Sequence, residues 1–219
     1  MRLVKICGLK DPAALEAALA GGASHVGLMF FEPSPRAVDL DTAARLSALA
    51  EGRCRRVGVF VDPDDARLAA VLAAVPLDAI QLHGHESPAR VGAIKARFGL
   101  PVIKALPVAT AEDLAAAAAF AEVADHLLFD ARPPPGAVIP GGNALRFDWR
   151  LLHDARPPGP WLLSGGLDAA NVGEAIRLTD PPGLDVSSGV ERSRGVKDPA
   201  LVAAFLNAVA AADALAEPQ

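Results

Sequence analysis

A thiol, a carboxyl, an arginine and two glycine-rich turns are the groups in this chain whose settings point to chemistry. Cys7 ends the short apolar run Leu3-Val4-Lys5-Ile6 and is followed at once by Gly8. A cysteine titrates near 8.5, so modest help from a neighbouring cation would let it act as a base near neutral pH. Lys5 and Lys10 could give that help, although strand alternation leaves the direction of Lys5 open. The competing role for Cys7 is that of a small buried hydrophobe. Asp130 follows the apolar run His126-Leu127-Leu128-Phe129. Partial desolvation there would raise its pKa and let it donate a proton; as a cap or a partner of Arg132 it would be structural instead.

Arg36, in Pro33-Ser34-Pro35-Arg36, could fork around a carboxylate, or stand as a solvated loop charge. His83 could hydrogen-bond a substrate or be a structural histidine. His85 and Glu86 read as loop residues, and Asp62 as a helix cap. Leu163-Ser164-Gly165-Gly166-Leu167 and Val186-Ser187-Ser188-Gly189-Val190 each lead towards a helix N-terminus. Bare N–H groups and the positive helix end suit a phosphate; the alternative is a pair of ordinary tight turns.

The elements that must position these residues alternate from one end of the chain to the other. Short runs rich in Val, Ile, Leu and Phe predict strands at 3–6, 25–29, 56–61, 79–82, 102–105, 126–129, 161–163 and 184–186. Helices are predicted at 12–20, 41–50, 63–74, 88–98, 111–121, 147–153, 168–178 and 199–214. Asp11-Pro12, Asp62-Pro63, Ser87-Pro88 and Asp198-Pro199 each place a capping side chain before a proline, and Thr110 opens an acidic first turn. Strict alternation predicts a parallel sheet with helices outside, and eight repeats predict a closed (β/α)₈ TIM barrel. An open doubly wound sheet would want G-x-G-x-x-G in its first turn, where this chain has Cys7-Gly8-Leu9-Lys10. In a barrel every candidate group above would face one mouth.

The bulk numbers narrow the classes. Of 219 residues, 52% are hydrophobic and 21% charged, which allows a large core and argues against general disorder. We expect one barrel domain over 1–215 and a frayed tail at 216–219, with the Pro- and Gly-rich stretch 131–146 as the irregular, functional loop. A net charge of -5 disfavours nucleic acid as a partner. Two unpaired-looking cysteines, Cys7 and Cys54, make neither a disulfide framework nor a zinc site and fit a reducing cytoplasm. Neither a signal peptide nor a membrane span is expected.

With these residues in hand, the chain resembles the phosphoribosylanthranilate isomerase family of the tryptophan pathway. The resemblance runs through Lys5-Ile6-Cys7-Gly8, Ser34-Pro35-Arg36 within 30–38, Val57-Gly58-Val59-Phe60-Val61, Gln81-Leu82-His83-Gly84 and Leu128-Phe129-Asp130. It continues through Gly141-Gly142 with Phe147-Asp148-Trp149, the turn at Ser164-Gly165-Gly166, and Asp185-Val186-Ser187-Ser188-Gly189-Val190-Glu191.

The resemblance implies a (β/α)₈ barrel and an Amadori rearrangement of N-(5-phosphoribosyl)anthranilate, with no cofactor and no metal. It implies Asp130 as general acid to the furanose ring oxygen and Cys7 as general base at C2 of the sugar. Arg36 would hold the anthranilate carboxylate, and Asp185 would orient the anthranilate amine or a nearby water. Phosphate would lie on Gly142, Gly165, Gly166, Ser188 and Gly189. The partner is then a small phosphosugar, with neither nucleic acid nor membrane, and the protein a monomer or homodimer. One departure stands out: the family's Gly-Gly-(Thr/Ser)-Gly reads Gly141-Gly142-Asn143-Ala144 here, and alanine resists the left-handed backbone that glycine accepts. Arg146 is a charge that could compensate. Two other readings are another phosphosugar isomerase or epimerase on the same barrel, and a phosphometabolite-binding barrel without turnover.

Overall fold

The computed structural model describes residues 2–216. Eight parallel strands close into a barrel in chain order, with β8 paired back to β1. They are β1 (Leu3–Cys7), β2 (His25–Met29), β3 (Arg55–Phe60), β4 (Ala79–Leu82), β5 (Val102–Val108), β6 (His126–Ala131), β7 (Trp161–Leu163) and β8 (Gly183–Val186). Outside lie α1 (Pro12–Ala20), α2 (Leu40–Ala50), α3 (Asp65–Ala74), α4 (Pro88–Phe98), α5 (Ala111–Ala115), α6 (Ala117–Ala121), α7 (Arg150–Ala155), α8 (Val172–Thr179) and α9 (Pro199–Ala216).

Strand periodicity sorts the side chains. Successive residues point to opposite faces, so each strand feeds both the barrel interior and the helix layer. Ile6, Phe60, Leu82, Phe129, Leu163 and Val186 go outward into the larger core beneath the helices. Val57, Ala79, Ile103, Ala105, Leu128 and Leu162 go inward and form an apolar plug. Two residues further along β4, β6 and β7, on the same inward face, come Gln81, Asp130 and Ser164. The register pairs Lys5 with Asp185 and Cys7 with Gly27. A polar layer therefore rests on the plug at the C-terminal mouth, where all candidate groups converge.

Several boundaries differ from the sequence expectation for local reasons. Helix α3 starts at Asp65, not 63, because Asp64 is its cap and accepts the Arg67 N–H at 2.7 Å. Asp62 is no cap: its φ is +45°, and its Oδ1 accepts the His85 N–H at 2.6 Å. The Asp168 and Asn171 side chains close a turn on each other's backbone, which delays α8 to Val172. Asp148 accepts the Arg150 N–H at 3.1 Å and moves the start of α7 to Arg150. The run 111–121 is two short helices, with Ala116 between them still at helical angles (φ −67°, ψ −20°). Strands β5 and β6 run longer than expected, to Val108 and Ala131, and pair Pro107 with Asp130.

A small hairpin of β9 (Glu191–Ser193) and β10 (Val196–Lys197) was not anticipated; it turns at Gly195, whose φ is +81°. Residue 216, placed in the tail by the sequence, belongs to α9, and 217–219 lie outside the described residues. No helix among the described residues is long and apolar enough to cross a membrane.

The corrected cap can be checked. Asp64→Ala should cost about 1 kcal/mol of stability, seen as a fall of roughly 2–4 °C in thermal midpoint. An unchanged midpoint would show that α3 does not depend on this carboxylate.

Candidate active site

Cys7 closes β1, buried, with its side chain on the inward face. Beneath it Lys5 has no exposed surface and donates to Asp185 Oδ1 at 2.7 Å. Alternation from the same strand aims both Lys5 and Cys7 inward, which settles the direction the sequence left open. Gly27 on β2 makes room: a Cβ there would lie 2.9 Å from Cys7 Sγ and 3.2 Å from Lys5 Nζ. Burial pushes the Cys7 thiol above its ordinary range; the Lys5 ammonium opposes this, Asp185 adds to it, and Lys197 opposes it from further off. Burial alone would pull Lys5 down, yet Asp185 and Cys7 hold it above its usual value. Asp185, expected to face substrate, lines the central cavity while accepting from Lys5 and from Ser164 Oγ at 3.2 Å.

Asp130 lies across the mouth, inward on β6 two residues beyond Leu128. Its Oδ1 accepts the Ala131 N–H at 2.9 Å, and Oδ2 lies 3.3 Å from His83 Nε2. Arg132 is not its partner but pairs with Asp113. His83 Nδ1 faces Gln81 Nε2 at 3.0 Å. The β4 loop that carries His83 is held by a residue the sequence reading had dismissed. Glu86 is buried, accepts the N–H groups of Asp62 and Gly84, and pairs with buried Lys104 at 2.7 Å. His85 is exposed, as a loop residue should be.

Arg36 is almost fully buried and already forked. Its Nε and Nη2 donate to Glu191 at 2.7 and 3.0 Å, and Nη2 also donates to the Gly142 carbonyl at 3.1 Å. Nη1 has no hydrogen-bond partner among the described residues and is the edge left for a ligand. Lys197 donates to the same Glu191 oxygen as Arg36 Nε, Oε1, at 2.7 Å and to the Ser187 carbonyl at 2.8 Å; the Ser187 hydroxyl donates to the Cys7 carbonyl. Against the burial that would raise it, Arg36 and Lys197 hold the Glu191 carboxyl down to about 2. Two cations around one anion leave a net positive patch beside the cavity. Sequence reasoning missed Lys197 entirely and met Glu191 only as part of a motif; the signal was the hairpin, too short to read by alternation.

The glycine turns follow β7 and β8. Gly165 and Gly166 have φ of +89° and +65°, and a Cβ on Gly165 would sit 2.8 Å from the Ala131 nitrogen, so both positions of the turn after β7 need glycine. The turn after β8 is a single 3₁₀ turn, Ser188–Val190, rather than a long helix start. Gly142, Gly165, Gly166 and Ser188 line the central cavity with Cys7, Arg36, His83, Asp130 and Asp185. Gly189 does not line it; it packs on the backbone of Leu167, behind the turn after β7. Arg146 stacks over Trp149 and covers Gly166. The loop over 139–145 closes the top and leaves about 40 Å³ of free space, far below the ~300–1,000 Å³ of a small-molecule pocket. The atypical Ala144 sits in this loop at φ +56°, the left-handed region.

The model of the family "N-(5'phosphoribosyl)anthranilate (PRA) isomerase" matches residues 4–208. An N-(5'-phosphoribosyl)anthranilate isomerase of Paracoccus denitrificans is 58% identical over 203 residues, covering 93% of this chain and 94% of its own. The crystal structure of phosphoribosyl anthranilate isomerase from Thermotoga maritima superposes with a TM-score of 0.86 at 33% identity, over 96% of this chain and 100% of that one. A structure of such an isomerase in complex with reduced 1-(o-carboxyphenylamino)-1-deoxyribulose 5-phosphate gives 0.83 at 32% identity, with the same coverage.

Two outcomes follow from the geometry. Ala144→Gly should relieve the left-handed strain and raise stability by roughly 0.5–1 kcal/mol in urea unfolding; no gain would mean the loop tolerates alanine without cost. Lys5→Met with Asp185→Asn removes the buried charges together. Loss of the cation should move the pH at which Cys7 becomes alkylated by iodoacetamide upward, and a shift downward would remove Lys5 as the group that favours the thiolate.

Proposed function

Because the chain belongs to the N-(5'phosphoribosyl)anthranilate isomerase family, we propose that it rearranges N-(5-phosphoribosyl)anthranilate to the 1-deoxyribulose 5-phosphate with Asp130 as general acid and Cys7 as general base. The observation that carries this assignment is that the two side chains reach one cavity from β1 and β6, a cavity also lined by the glycine turn at Gly165-Gly166 and by Arg36.

Each step asks for a group of that type. Asp130 gives its proton to the furanose oxygen, and the ring opens to a Schiff base. The Cys7 thiolate removes the proton from C2, and the enolamine tautomerises to the ketone. One group must begin protonated and the other bare at the same pH, so their surroundings must differ. Cys7 has Lys5 beneath it; Asp130 rests on the apolar Leu128 layer. Arg36, braced by Glu191, takes the anthranilate carboxylate through Nη1, in the positive patch that Lys197 completes. The phosphate is received by the turn at Gly165-Gly166 and by Ser188, with Gly142 closing over it and Gly189 supporting from behind. Asp185 acts through Lys5.

The narrow cavity requires the loop over 139–145 to open for substrate admission and to shut during the reaction, which excludes water from the Schiff base. A small acidic metabolite as the substrate is consistent with that patch, and two free thiols are consistent with a reducing cytoplasm.

The assay is the fall in anthranilate fluorescence as substrate is consumed. Cys7→Ser and Asp130→Asn should each lower kcat about 10²–10⁴-fold with KM little changed. Arg36→Ala should instead raise KM by roughly 10–100-fold, the worth of a charged hydrogen-bonded contact. Near-normal turnover in Asp130→Asn would overturn the acid assignment, and no fluorescence change with the intact protein would leave a binding barrel.

A further inference from the structure

Asp130 separates two spaces. On one side is the central cavity. On the other is a larger bay of about 410 Å³, lined in part by His83, Lys104, Phe120, Asp130, Pro133 and Pro140. Only His83, Asp130 and Pro140 border both. Asp130 and the imidazole beside it thus share a wall of a space with room for water that the central cavity lacks.

We infer that His83 is a proton relay that refills Asp130 from the bay between turnovers. The inference rests on the reading of Asp130 as the general acid. The need comes from the proton balance of the reaction. Each turnover moves a proton from Asp130 to the ring oxygen and another from C2 to Cys7, and the final tautomerisation is neutral overall. The site ends with a carboxylate where it needs an acid, and a thiol where it needs a base. Before the next turnover the thiol must shed one proton, and the carboxylate must recover one. Asp130 is buried; with the loop shut its open side is the bay, and a titratable neighbour on the same wall can hand it a proton from there.

His83 Nε2, 3.3 Å from Asp130 Oδ2, is that neighbour. The imidazolium passes its Nε2 proton to Oδ2 and becomes neutral; water or a buffer acid in the bay returns the proton to the ring. Gln81 suits both charge states. Its NH₂, 3.0 Å from Nδ1, donates to a bare nitrogen; turned over, its carbonyl accepts from Nδ1–H. That carbonyl oxygen, Oε1, is buried and has no hydrogen-bond partner among the described residues, so it is free to serve in the second arrangement. Histidine is the side chain suited to taking and giving a proton near neutral pH.

The test is a pre-steady-state and steady-state comparison of His83→Ala with the intact protein at fixed pH and ionic strength. The first turnover should proceed as a burst near the normal rate, because it comes before any resupply of Asp130 is needed. Later turnovers should slow by roughly tenfold or more, the scale of a lost proton transfer. Added imidazole, which fits the bay, should restore kcat in proportion to its concentration while leaving the intact protein unaffected. Steady-state turnover within twofold of normal would overturn the relay. So would a first turnover slowed as much as the rest, or a deficit that imidazole does not repair, because His83 would then only position Asp130. Should His83→Ala fail to fold, His83→Gln keeps a donor near Asp130 but does not titrate. It should show the same burst and slow phase, and normal steady-state turnover in it would equally reject the relay. Asp130→Asn separates the two levels: a normal rate there refutes the acid itself, whatever His83 does.

Discussion

Lys5 and Asp185 meet at 2.7 Å inside the barrel, with 0% and 3% of their side chains exposed. Moving both ions out of water costs several kcal/mol each, and an apolar pair of similar size would fill a barrel interior more cheaply. The register explains how the pair forms: β1 and β8 place the two residues directly opposite each other, so the ladder delivers the charges together. What the pair supplies is a fixed cation beneath Cys7 that no solvent screens. It is neutral overall, so its influence falls off quickly and acts on the thiol two residues above rather than on the carboxyl across the mouth. Removing one member would strand the other in a low-dielectric interior, so Lys5, Asp185 and the state of Cys7 stand or fall together.

Cys7 and Asp130, the two groups proposed to react, are thereby given different surroundings on one barrel rim. Cys7 is buried, which favours the neutral thiol, and is drawn back towards the thiolate by lysines. Asp130 has no lysine in contact; it has the apolar plug beneath and His83 beside it. The protein therefore does not need strong acids or bases. It needs one fold in which alternate strands bring a charged layer and an apolar layer within reach of the same sugar. The same logic explains Arg36. A lone guanidinium in that position could bind several ways, whereas Glu191 and the Gly142 carbonyl occupy Nε and Nη2 and leave a single edge for a ligand.

Most of this architecture was legible before any coordinates. Five of the elements, including β2, β4, β7, α1 and α4, fall at the boundaries that hydrophobic runs and caps predict, because burial on both faces makes strands unmistakable and Pro-preceding caps mark helix starts. The inward aim of Cys7 and Asp130 follows once the strand faces are known. What could not be read was anything set by partners distant in sequence. Lys5 had no sign of its direction until Asp185, 180 positions later, paired with it. Glu86 looked like a loop charge because Lys104 lies on a different strand. Asp62 was mistaken for a cap because Asp64, two residues on, satisfies the same helix end. The hairpin that brings Lys197 to Glu191 is too short for alternation to signal, and its turn glycine packs against Pro35 in another loop.

The loop over the cavity shows how a departure from a family pattern can be tolerated physically. Ala144 takes the left-handed angle that a glycine would take, at a cost of ~1–2 kcal/mol, so the closed loop keeps its shape despite the substitution. Contacts that hold it shut must supply that energy. Arg36 bonds the Gly142 carbonyl from below, Asn143 donates to the Ile139 carbonyl, and Arg146 leans on Trp149 over Gly166. The Arg36 contact uses Nη2, which also serves Glu191, so the loop is tied to the same buried ion pair that fixes the guanidinium, and the Nη1 edge stays clear beside it. Left-handed strain at Ala144 works against the closed loop, so these side-chain contacts, and not the backbone at 144, keep it shut.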